Sequence, residues 1–173
     1  PGMPLIYTGQ EVGLRDRLPF FTKYAGYTQE KNDTYAFYER LNQLKHDQPA
    51  LMAGEPGGLW KVYATNQTDK ILFCARELSG KEVLYIGNLS DEKVFFDVKD
   101  QLPGGVFVEW FSGNVISFAE TTSMVLEPWQ FGAFCEDPEV SAFFFGFGED
   151  GWSEGFSEMI LYVRSKEIIE QIE

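Results

Sequence analysis

Residues 71–90 read ILFCARELSGKEVLYIGNLS: two runs rich in β-branched, aromatic and aliphatic residues, 71–76 and 83–88, on either side of Ser79-Gly80-Lys81. Such runs suit a pleated, packed surface, and a short Ser-Gly punctuation between them is a hairpin signal. The same alternation continues outward in both directions. Residues 60–64 precede it, with Asn66-Gln67-Thr68-Asp69 as the intervening turn, and residues 94–98, 106–111, 123–126 and 131–134 follow it. Leu102-Pro103-Gly104-Gly105, Ser112-Gly113-Asn114 and Pro128 fall between those runs. Several short strands separated by turn signals predict an antiparallel β-sandwich.

Upstream of residue 59 the pattern is different. Asn32 and Asp33 offer an N-cap, and Tyr35, Phe37, Tyr38, Leu41 and Leu44 follow at near-helical spacing, which predicts a helix over residues 33–46. Gln48-Pro49 ends it, because a residue before proline avoids the α region. Glu55-Pro56-Gly57-Gly58 is the best boundary in the chain. Residues 10–32 read as loop. Leu5, Ile6 and Tyr7, between Pro4 and Gly9, read as a short buried strand of the parallel-sheet kind. The division expected is 1–55, 56–135, and a tail over 136–173. The tail holds Phe143-Phe144-Phe145-Gly146-Phe147, a strand-like run at 159–163 and a helix-like run at 165–172. It has ten acidic residues against two basic ones.

The whole chain carries a net charge of −13 with a pI near 4.5. Phosphate binding needs a basic patch, so nucleic acid is excluded as a partner, and so is an anionic membrane surface. No stretch approaches the roughly 18 apolar residues that span a bilayer. No basic leader stands at the start, and because the chain opens on Pro1 rather than Met it reads as a piece of a longer protein and assigns no compartment. Cys74 and Cys135 sit in apolar runs as buried free thiols or one bridge, free thiols being favoured because cysteine packs as a small hydrophobe. With no CxxC spacing and His46 the only histidine, a zinc site is unsupported.

Residues 1–13, PGMPLIYTGQEVG, resemble the eighth barrel strand and following loop of family-13 glycoside hydrolases, the α-amylase type, with Gly2, Pro4, Ile6, Tyr7, Gly9, Glu11 and Gly13 at matching offsets. Arg17-Leu18-Pro19-Phe20-Phe21 is similar to the loop beyond that strand. YERLNQLKHDQPAL, residues 38–51, resembles the last barrel helix, with Lys45 where arginine is usual and Gly54 in place. KEVLYIGNLS at 81–90 and LEPWQFG at 126–132 are similar to strands of the family's C-terminal sandwich. The resemblance covers about residues 1–135 and stops at the tail. It implies a mainly β chain, an antiparallel sandwich of Greek-key type preceded by a single βα unit from the end of a (β/α)8 barrel.

Retaining glycoside hydrolysis needs two carboxyl groups, a nucleophile and an acid/base. In the family these, with a further aspartate and a histidine, come from earlier strands, so the resemblance implies no catalytic residue in this chain. Glu11 follows a strand end but reads as a loop glutamate satisfied by backbone N–H groups; Tyr7 reads as core, and Arg15 and Arg17 as a solvated loop. His46 suits the C-terminal end of a helix dipole, and Asp47 beside it makes no triad without a nucleophile. Trp60, Trp110 and Trp152 are candidate sugar contacts, although aromatics of a sandwich, Trp129 included, are more commonly buried. No cofactor is expected here; calcium is common in the family, and no ligand cluster in this sequence supports it. Partners implied are an α-glucan through the parent enzyme, and the remainder of the barrel or another chain packing on residues 1–30. Three roles remain open: a non-catalytic part that stabilises the barrel, a carbohydrate-binding sandwich module, and an interaction domain acting through the Phe-rich tail.

Overall fold

The computed structural model describes residues 2–24, 30–118 and 123–136. Its β part is two antiparallel sheets. Strands β1 (Leu59–Val62), β2 (Ile71–Leu78), β3 (Lys81–Asn88), β5 (Val106–Glu109), β6 (Val115–Ser117) and β8 (Phe131–Glu136) form one sheet in the order β1-β2-β3-β8-β5-β6. Strands β4 (Val94–Asp97) and β7 (Ser123–Leu126) form the other. β8 returns beside β5 while β7 lies in the second sheet, the kind of connection that defines a Greek key. The chain is therefore mainly β and a sandwich.

The β2–β3 hairpin closes through Ser79 and Gly80 at φ 56° and 79°, with Leu78 facing Lys81. Two consecutive left-handed residues give the turn whose twist matches that of the flanking strands. Alternation along β3 then sends Leu84 and Ile86 to one face of the large sheet and Val83 to the other. The first pair joins Phe73, Phe96, Phe107, Phe118, Leu126 and Phe134 in the core between the sheets. Val83, with Ala133 and Cys135, packs on Leu44 and Ala50. Both faces of β3 are thus covered, which is why its sequence is almost continuously apolar.

The covering element on the second face is helix α1 (Asp33–Asp47). The Asn32 side chain accepts from the Tyr35 N–H at 2.9 Å, so Asn32 is the N-cap. Gln48 leaves the helix extended and a 3-10 turn follows at Pro49–Leu51. Residues 57 and 58 are pinned: Arg76 donates to the carbonyls of Gly58 (2.7 Å) and Met52 (3.1 Å), and Gly58 N–H to that of Ala50.

Residues 5–7, expected as a buried strand, form no strand. Met3, Leu5 and Tyr7 are largely exposed, and a 3-10 turn follows at Gln10–Val12. A parallel strand is made by neighbours on both edges, and among the described residues none flanks this one. Tyr7 is correspondingly not core. Strand β6 was not foreseen. The runs expected at 159–163 and 165–172 lie outside the described residues.

Candidate functional site

A sizeable concavity lies between the N-terminal segment and α1. It is an open depression of about 770 Å3, walled by Ile6, Thr8 and Glu11 on one side and by Tyr35, Tyr38, Glu39, Asn42, Gln43 and His46 on the other. The helix residues share one face, opposite to Phe37, Leu41 and Leu44. Glu11 accepts from the Gly9 N–H at 2.9 Å, so its carboxylate is tied to the loop that carries it. His46, in the last helical turn, lies 3.3 Å from Asp47. Asp47 is held below the usual carboxylate range by the Gln43 amide first and His46 second. The depression therefore offers polar groups and tyrosine rings, with Glu11 tied to its own loop and Glu39 3.8 Å from Lys31.

One carboxylate is fully buried among the described residues, that of Glu109. Its oxygens accept from the backbone N–H groups of Phe111 (3.1 Å), Ser112 (2.7 Å) and Ala133 (3.4 Å). This carboxylate organises the turn after β5 and faces no open space where a substrate would lie. Among the described residues no three His, Cys, Asp or Glu side chains are grouped to hold a metal ion.

Trp60 sits on β1, the edge strand, and is 54% exposed. Leu59 and Val62 on the same strand are exposed as well. Trp129 is 55% exposed at φ 57°, a left-handed conformation that bulky residues seldom adopt. Both tryptophans thus depart from the burial common for sandwich aromatics. Trp110 is half-buried, and its indole N–H donates to the carbonyl of Arg40 at 3.0 Å. Trp60 and Trp110 are therefore differently employed, one facing solvent and one facing α1. Trp152 and Phe143–Phe147 lie outside the described residues.

Cys74 and Cys135 are free and buried. Cys74 faces Tyr85 on β3, whereas Cys135 faces Val83 from the other side of the same strand, so a whole strand separates them. Burial pushes the Cys74 thiol up to about 11; burial, and then the Glu109 carboxylate, push Cys135 up to about 12. A thiol in such surroundings is unreactive.

No family model matches the chain, and no curated protein is similar to it in sequence. Solved structures do resemble it. A noncanonic maltogenic α-amylase, AmyB from Thermotoga neapolitana, superposes with a TM-score of 0.61 at 14% identity, covering 78% of this chain and 33% of the enzyme. AmyP E221Q, solved with maltotriose, gives 0.49 at 17% identity over 61% of this chain and 21% of its own. Trehalulose synthase MutB from Pseudomonas mesoacidophila MX-45 gives 0.43 at 23% identity over 60% and 18%. Only the first superposes closely enough to speak for the fold. At that level the chain is α-amylase-like, and it spans about a third of the length of the maltogenic enzyme.

Proposed function

We propose that this chain is the C-terminal portion of an α-amylase-like glycoside hydrolase acting on α-glucans such as starch, that it is non-catalytic by itself, and that its sandwich stabilises the end of the barrel. The supporting observation is the two-sided use of α1. One face is buried on the sandwich, and the other borders an open depression whose far wall is Ile6, Thr8 and Glu11 of the N-terminal segment, where Met3, Leu5 and Tyr7 are exposed. An exposed apolar segment that forms no strand, beside a helix already anchored elsewhere, fits a last βα unit of a barrel whose strand is completed only by neighbouring strands. On this reading residues 1–55 belong to the barrel and 56–135 to the sandwich. The remainder of the barrel, or another chain, packs on residues 1–30; any calcium belongs to the parent enzyme. The test is turnover: the purified chain is expected to leave starch and nitrophenyl maltosides intact, and hydrolysis that follows the protein peak would contradict the proposal.

The exposure of Trp60 favours a second reading, a sandwich that holds glycans on an aromatic face. Retardation by amylose in an affinity gel, abolished by Trp60→Ala, would select it. Migration unchanged by amylose selects the scaffold.

A further inference from the structure

Helix α1 meets the sandwich at residues 109–113, and the meeting has an unusual electrical order. Arg40 donates from Nη1 to the Phe111 carbonyl at 2.7 Å and from Nη2 to the Trp110 carbonyl. The Trp110 carbonyl and the Phe111 N–H belong to one peptide group; the Phe111 carbonyl and the Ser112 N–H belong to the next. Both of those N–H groups point the opposite way, into Oε2 of the buried Glu109. Two consecutive peptide dipoles therefore stand in parallel between a carboxylate and a guanidinium, each with its N–H on the anion and its carbonyl on the cation.

We infer that Glu109 and Arg40 form an ion pair bridged by two peptide groups, and that this pair is the joint setting the position of α1 on the sandwich. Glu109 is buried with three backbone donors, and among the described residues no cationic side chain forms an ion pair with it. Arg40 supplies the balancing charge through groups that polarise one another, an arrangement in which hydrogen bonds strengthen cooperatively. The joint is reciprocal, because the Trp110 indole returns a bond to the Arg40 carbonyl and so fixes the helix backbone as well as its side chain. Phe111 stacks on Phe37 at 5.3 Å and lies beneath the Arg40 guanidinium, which sets the rotation of the helix. With that rotation fixed, Tyr35, Tyr38 and Asn42 face the depression. Arg40 and Glu109 are positioning residues: they decide which face of α1 is offered to whatever completes the N-terminal segment. The inference deepens the scaffold reading and borrows from it only the identity of α1 as a barrel helix; the contacts belong to this chain alone.

Hydrogen exchange on the full chain tests it. Arg40→Ala should speed exchange of the α1 amides by about tenfold to a hundredfold, the scale of lost charge-assisted bonds, and leave the β2–β3 hairpin unchanged. Arg40→Lys, with one compact charge for two carbonyls, should recover part of the protection. Glu109→Gln should loosen α1 although its side chain does not touch the helix, and the double variant with Arg40→Ala should loosen it no more than the worse single change. Should Glu109→Gln unfold the chain, NMR of Arg40→Ala decides: the Phe111 and Ser112 amide protons move upfield as their peptides lose polarisation. Additive effects, unmoved amide shifts, or α1 protection untouched by Arg40→Ala would overturn the joint. Loss of the joint would leave the turnover result standing, and turnover would leave the joint standing.

Discussion

The sandwich and the N-terminal segment are built from equally apolar sequence and end in opposite states. Phe73, Phe107 and Phe134 are within 1% of complete burial, whereas Met3, Leu5, Phe20 and Phe21 are each more than four-fifths exposed. The difference lies in where the partners are. Phe73, Leu84, Ile86 and Phe134 of β2, β3 and β8 share one core with Phe96 and Leu126 of the other sheet, and Val83, Ala133 and Cys135 share a second with Leu44 and Ala50, all supplied by this chain. The segment at 2–24 is tied to the start of α1 by Asn32, whose side-chain amide donates to the Val12 carbonyl at 3.0 Å; Ile6, Val12, Leu14 and Leu18 are half-buried, while Met3, Leu5, Tyr7, Phe20 and Phe21 are exposed. Hydrophobic sequence states that burial is needed; it does not state which chain provides it.

The contrast breaks most visibly in the core. Phe107→Ala, at a ring packed edge-on to Phe118 at 5.6 Å, should cost about 3–5 kcal/mol in urea denaturation. A cost under 1 kcal/mol would mean that the two sheets are not packed as described. Asn88→Ala comes next. Its buried amide donates to the carbonyls of Glu92 (2.7 Å) and Glu127 (2.8 Å), and its oxygen accepts from Ser90, tying the β3–β4 turn to the end of β7. Orphaning those groups should cost about 2–3 kcal/mol by the same measurement.

The thiols sharpen the contrast through pH. An unfolded cysteine ionises near ~8.5, while burial holds Cys74 at about 11 and Cys135 at about 12. Above ~8.5 the unfolded chain gives up protons that the folded chain keeps. The contribution to stability is therefore complete below that pH and is lost as pH rises through 11 to 12. The double variant Cys74→Ala with Cys135→Ala should show a shallower fall in urea midpoint between pH 8 and 10.5; an identical fall would refute the assignment. The smallest effect belongs to the N-terminal segment. Leu5→Ser and Phe21→Ser should each change stability by no more than about 0.5 kcal/mol, as exposed sites do.

Much of this was legible in the sequence, and the exceptions share a cause. The hairpin at Ser79-Gly80, the Asn32 cap and the stop at Pro49 are local signals, and each appears where its residues stand. Residues 5–7 misled because a buried parallel strand and an apolar run without neighbours are written alike. The exposure of Trp60 follows from β1 being a sheet edge, a fact set by strand order rather than by local pattern. Strand β6 is three residues long, partly exposed, and starts just after a Gly-Asn turn, which leaves almost no periodicity to read. Trp110, a candidate sugar contact for which burial is the commoner case, has a partner that no local pattern reveals, because Arg40 is seventy residues away. A signal for Glu109 was present: a lone carboxylate within VFVEWFSGN, immediately before a turn, is in the right place to gather that turn's N–H groups.

If, as proposed, the rest of a barrel or another chain packs on residues 1–30, the sandwich with α1 is complete without them. Urea unfolding of the chain trimmed of residues 1–30, which keeps the Asn32 cap, tests it most directly. The proposal predicts a stability within about 0.5 kcal/mol of the untrimmed chain. A loss of about 2 kcal/mol or more, the scale of removing a packed apolar side chain, would show that the segment belongs to this core after all.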